Sequence, residues 1–177
     1  GTAERRADAA TDSPVAGIIP LNANSRCFNL PYMLDHGILW IAAAKYYGQD
    51  SNALPMCDDA TLELGRKYTD GKECYPSIVI LSDILKRALE ANFDPARESF
   101  LVPSASGPCR FGQYNRLFRI ALDQIGMEDV PVITLDQTSN WGQHLTHLGR
   151  GYRLRTWRAS VLLDLIQKMQ LERRPYE

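Results

Sequence analysis

The sequence lacks any uninterrupted apolar run approaching the ~18 residues that a bilayer-spanning helix requires, so no membrane partner is expected. It lacks charge of one sign as well: 20 Lys and Arg against 21 Asp and Glu leave a formal net charge of -1. A nucleic-acid-binding domain usually carries a basic imprint, and none is expected here. Neither G-x-x-x-x-G-K-[S/T] nor G-x-G-x-x-G occurs, which argues against a nucleotide site in this stretch of chain. Nor is there a C-x-x-C pair, a Ser/His/Asp order or a paired-carboxylate constellation. Hydrolysis is therefore not expected, and no residue is assigned a catalytic role.

What is present is ordinary globular material. The 177 residues are 45% hydrophobic and 23% charged, the size and balance of one domain. Residues 1–13 lack the apolar core of a secretory signal and read as a flexible lead-in. Residues 14–177 then form a single α/β domain, read as a fragment of a longer cytoplasmic protein.

Strand and helix patterns alternate along the chain. Residues 15–21 read as a buried strand, 22–29 as a loop, and a helix starts near Pro31 with Leu34, Ile38, Ile41 and Ala42 at helical spacing. A weak strand near 53–56 precedes a short helix over about 59–66, with Asp58 as its cap. The clearest helix spans 75–91: Ile78, Leu81, Ile84, Leu85, Ala88 and Leu89 form its stripe, while Asp83, Lys86, Arg87 and Glu90 fall off it. Strands at 100–103 and 131–135 flank a helix over 112–125. A polar stretch from 136 to 151 leads to a final helix over 154–171. The pattern predicts a three-layer, Rossmann-like α/β domain with a small, mostly parallel sheet of about four strands. The order 2-1-3-4 follows by analogy with other doubly wound sheets.

In such a fold the loops from strand to helix share the carboxyl edge of the sheet, where ligands bind. The four cysteines, Cys27, Cys57, Cys74 and Cys109, are dispersed, which favours thiols or metal ligands over a disulfide frame. All four are predicted on that edge, Cys27 in the loop after the first strand. Cys74 and Cys109 each precede a helix start, where free N–H groups and the dipole favour thiolate. Arg110 stands beside Cys109, Gly107 and Gly112 allow close backbone approach, and Gln113, Tyr114 and Asn115 follow as a polar patch. The simpler alternative is that these are small thiols with no role. His36 is a candidate on the same edge, and His144 and His147 share helical spacing.

Two segments carry a family likeness. Gly71-Lys72-Glu73-Cys74-Tyr75-Pro76 and the run from Ser106-Gly107-Pro108-Cys109-Arg110 through Phe111-Gly112-Gln113-Tyr114-Asn115 resemble signatures of the large proteins related to activators of 2-hydroxyglutaryl-CoA dehydratase. The likeness extends through Asp35-His36 and residues 62–68, reaches 174–177, and covers the chain from about Ile18. The resemblance implies a bacterial, ATP-dependent electron-transfer system with a four-iron iron–sulfur cluster. Cys74 and Cys109 match the motifs as metal ligands. Cys27 is added as a third ligand, and Gly107, Arg110 and Gln113 as cofactor-binding residues. Ser77 stands where some relatives have another cysteine. The implied partners are the remaining domains of the parent protein, including an activase-type ATPase, and a homodimer is open.

Two further readings stand beside that one. The final helix, around Trp157 and Leu165, offers an apolar stripe that either covers the sheet or docks on another domain or subunit. The segment 104–107, with Arg110 alongside, could hold a small anion.

Overall fold

A computed structural model describes residues 26–104, 107–136 and 149–174. The elements in chain order are β1 (Cys27–Leu30), α1 (Asp35–Tyr46), β2 (Ser51–Ala53), α2 (Asp59–Arg66), α3 (Tyr75–Ala88), β3 (Glu98–Ser104), a 3-10 turn (Arg110–Gln113), α4 (Tyr114–Gln124), β4 (Val132–Asp136) and α5 (Gly149–Arg173). The four strands are all parallel in the order β2-β1-β3-β4, as expected. The strand predicted over 15–21 lies outside the described residues. The first described strand falls instead within the stretch read as loop, and begins at Cys27.

Both faces of the sheet are covered, so its central strand is apolar in both directions. On one face Phe100 and Val102 of β3 pack with Leu81, Ile84 and Leu85 of α3 and Phe118 and Leu122 of α4. On the other, Phe28, Leu30, Leu101 and Ile133 meet Ile41 and Ala44 of α1 and Tyr152 of α5. Pro103 is tolerated inside β3 for a positional reason. The Phe100 N–H points toward β4, so the N–H that Pro103 lacks would point toward β1, whose pairing has already ended at Asn29 and Phe100.

Helix α3 is buried on more than its predicted stripe. Helix α2, capped by Asp58 accepting from the Thr61 N–H at 2.7 Å, lies across its outer side. The approach is close because residue 65 is glycine: a Cβ there would sit 2.0 Å from Ser82 Oγ and 2.9 Å from the Ile78 carbonyl oxygen. Ser82 is buried at that crossing, and Ser77 and Asp83 are buried as well, the last of which reads from the sequence as lying off the buried stripe. At its far end α3 is pinned to the start of β3, where Arg87 reaches Glu98 at 2.6 Å and Asn29 Nδ2 donates to Glu98 Oε2 at 2.8 Å.

Helix α5 departs most from expectation. Its inward positions are Tyr152, Thr156, Ala159, Ser160, Leu163 and Gln167, spaced three and four apart. It meets α1 through polar links: Trp40 Nε1 donates to Ser160 Oγ at 3.2 Å, and His36 lies 2.8 Å from Asp164. The predicted stripe, with Trp157 67% and Leu165 54% exposed, faces away from the domain and does not cover the sheet. Among the described residues no helix is long and apolar enough to cross a membrane.

Candidate functional site

The site grows from two helix starts at the carboxyl edge of β3. Cys74 is the N-cap residue of α3, its carbonyl accepting from the Ser77 N–H at 3.0 Å, with Pro76 in the first turn. Cys109 is the N-cap residue of the 3-10 turn that leads into α4. Ser104 Oγ donates to the Gly112 carbonyl at 3.3 Å and ties that turn to the end of β3. Both thiols are exposed.

Tyr114 joins them. Its hydroxyl is in hydrogen-bond contact with Cys74 Sγ, and its ring is held edge-on by Phe111 and tilted against Phe118. Burial pushes the phenol up to about 12, together with the bond to Cys74 and the negative potential of Cys74 and Cys109, against which Arg110 acts only partly. Tyr114 therefore keeps its proton at neutral pH and can donate it toward a thiolate. The phenol thus bonds Cys74 and feels the charge of Cys109, 35 residues further along the chain. Gly107 and Gln113 are exposed beside it, and a Cβ on Gly107 would meet nothing within 4 Å.

The other two cysteines do not join this site. Cys27 opens β1 and pairs in register with Glu98, the first residue of β3, so it lies at the amino edge. A seven-residue strand at ~3.3 Å per residue separates the two edges by roughly 20 Å. This corrects the placement of Cys27 beside Cys74 and Cys109, and it follows from β1 starting later than the sequence pattern indicates. Cys27 Sγ accepts from Asn52 Nδ2 at 3.2 Å, and burial, then Asp50 and Glu98, push the thiol up to about 11. Cys57 lies before α2, half-buried, its thiol raised by burial, Asp83 and Asp58. Among the described residues no group of three or more His, Cys, Asp or Glu side chains is placed to hold a metal.

The remaining candidates resolve simply. His36 joins α1 to α5 through Asp164, and so is a packing residue. Lys72 donates its N–H to Glu73 Oε2 at 3.0 Å in an exposed turn. His144 and His147 lie outside the described residues, as do residues 105 and 106 of the expected anion loop. Ser77 is fully buried with an unpartnered hydroxyl, on the same helix face as Leu81 and Ile84, so a cysteine at that position would lie in the core.

Sequence reasoning missed Asp83. It is 3% exposed, and one carboxylate oxygen has no hydrogen-bond partner. Burial pushes the carboxyl up to about 7, against the Tyr32 N–H and Lys86, which favour the charge, while Asp58 disfavours it. Gly65 and Ser82 are the signal that was available, since small residues on facing helices mark a close crossing.

Comparison with known proteins returns no match: no family model, no curated protein and no solved structure corresponds to this chain.

Proposed function

We propose that Cys74 and Cys109 hold one side of an iron–sulfur cluster, and that the domain serves electron transfer in a dehydratase-activator-like protein. The reading rests on one observation: the buried phenol of Tyr114 bonds the exposed Cys74 thiol and lies within electrostatic reach of the exposed Cys109, on the ligand-binding edge of the sheet. Thiolate is the ligand such clusters take, and a four-iron cluster takes four. The donors here fit two of those positions, so the parent protein supplies the rest. When bound, the cluster is the one-electron carrier.

The chain's own residues hold and tune that group. Tyr114 donates its O–H toward Cys74 Sγ, and the positive charge of Arg110 acts on that phenol from the residue after Cys109. Gly107 has open space about its backbone, and Gln113 offers an amide from the turn that Cys109 caps. Hydrogen bonds and charge at the sulfurs are among the features that set a cluster's potential. On this reading ATP hydrolysis belongs to an activase-type part of the parent protein, and the system is bacterial and cytoplasmic.

Anaerobic reconstitution of the full-length parent protein, which carries the remaining ligands, with iron and sulfide tests it. Wild-type and Cys27→Ser chains retain a brown chromophore with matching iron and sulfide, and the Cys74→Ser/Cys109→Ser chain loses both. Colourless, iron-free wild type, or equal iron in the double variant, rejects the assignment.

A further inference from the structure

Helix α5 presents two faces of different character. Its inward face, against α1, mixes Tyr152, Ala159 and Leu163 with the polar Thr156, Ser160 and Gln167, and Gln167 donates to Asp35 at 3.3 Å. Its outward face carries Leu154, Trp157, Val161, Leu162, Leu165, Ile166 and Met169, all exposed. A helix that only covers its own sheet has the reverse arrangement, because burial of apolar surface is what holds such a helix down. A contiguous exposed apolar face of this kind marks an interaction surface.

The charges on that face select its occupant. Arg158, Leu165 and Glu172 are spaced seven residues apart, about two turns each, so they lie along one line in the middle of the apolar face. Leu165 sits midway between charges of opposite sign. Laying a second α5 antiparallel across this face, with the two-fold axis at Leu165, sets Arg158 of each copy opposite Glu172 of the other. Val161 then faces Met169. The contact is isologous, the self-complementary kind that closes as a dimer. Among the described residues Glu172 makes a long contact, 3.9 Å, to exposed Lys168. Shifting the axis toward the N-terminus by about half a turn would set Arg158 against Lys168, so charge fixes the register. A basic helix with Trp and Leu also suits an anionic bilayer, but there Arg158 and Glu172 would sit unpaired at the acyl boundary.

We infer that α5 is a homodimerisation helix, its outward face binding α5 of a second copy of this chain in an antiparallel pair centred on Leu165. Sedimentation velocity across a concentration series gives a species of twice 19.9 kDa. Leu165→Glu leaves a monomer with an unchanged melting temperature, since residue 165 is exposed in the single chain. Arg158→Glu and Glu172→Arg each weaken the dimer about tenfold, and the double swap restores it. A monomer at every concentration overturns the inference. So does a dimer that Leu165→Glu leaves intact or the double swap fails to restore, and so does a monomer that floats with phosphatidylserine vesicles through α5.

Discussion

The two buried acids along α3, Glu98 and Asp83, solve the same problem in opposite ways. Glu98, at the amino edge, is enclosed by Arg87, which reaches both its oxygens at 2.6 and 3.0 Å, and by the Asn29 amide at 2.8 Å. Asp83, nearer the carboxyl edge, has the Tyr32 N–H, a distant Lys86 and one oxygen with no partner. A buried charge is tolerated when paired and is otherwise neutralised. The difference divides the molecule: around Glu98 the sheet edge is closed and internally satisfied, while toward Asp83 and Cys74 polar groups are left available.

Removing the Asp83 charge gives the largest expected effect. Its folded-state carboxyl titrates near 7, above the ~3.9 of an unfolded chain, so the folded state holds the extra proton. Stability from that proton is fully present below about pH 4 and declines as pH rises through 7. Asp83→Asn should therefore flatten the profile, with a gain approaching about 4 kcal/mol at pH 8 and little change at pH 4. Urea unfolding at both pH values measures it, and an equal loss at both would show that Asp83 is paired after all. At the opposite end, Arg87→Ala strands Glu98 and Asn29 and should cost about 3 kcal/mol at pH 7. A cost below 1 kcal/mol would mean that water reaches Glu98 and the two ends of α3 are alike.

The same contrast governs the cysteines. Cys27, with its thiol pushed up to about 11, should alkylate roughly a hundredfold more slowly at pH 8 than an ordinary free cysteine, while exposed Cys74 and Cys109 react first. Peptide mapping by mass spectrometry after timed iodoacetamide exposure gives the order. Early labelling of Cys27 would remove the distinction between the edges.

Much of this was legible before any coordinates. Helical spacing located α3 and α4 closely, Asp58 announced the cap of α2, and alternation of element types implied the parallel sheet and its order, whereas α1 begins at Asp35 and leaves Leu34, Ile38 and Ala42 of its expected stripe exposed, with only Ile41 buried. The positions of Cys74 and Cys109 at helix starts followed from the same pattern. Strand β1 was hidden because Asn29 interrupts its apolar character, and Asn29 belongs inside by virtue of partners distant in sequence, Glu98 foremost, 69 residues away. Asp83 was hidden because a helical stripe predicts one buried side, and α3 is buried on more than one. The outward turn of α5 was invisible for the converse reason: periodicity identifies an apolar face and not what lies against it.

The smallest effect belongs to Tyr114, and it tests the exposed edge most directly. Tyr114→Phe keeps the ring packing on Phe111 and Phe118 and deletes only the hydroxyl that meets Cys74. A single hydrogen bond of this kind contributes about 1 kcal/mol, and the position is buried enough for the phenylalanine ring to recover part of that. Global stability should fall by no more than this. The thiol should respond more than the fold does: with its hydroxyl neighbour gone, the alkylation rate of Cys74 at pH 7 changes severalfold while that of Cys109 changes less. If both rates stay unchanged, the phenol is a packing group, and the edge that carries the two cysteines is as inert as the one that closes over Glu98.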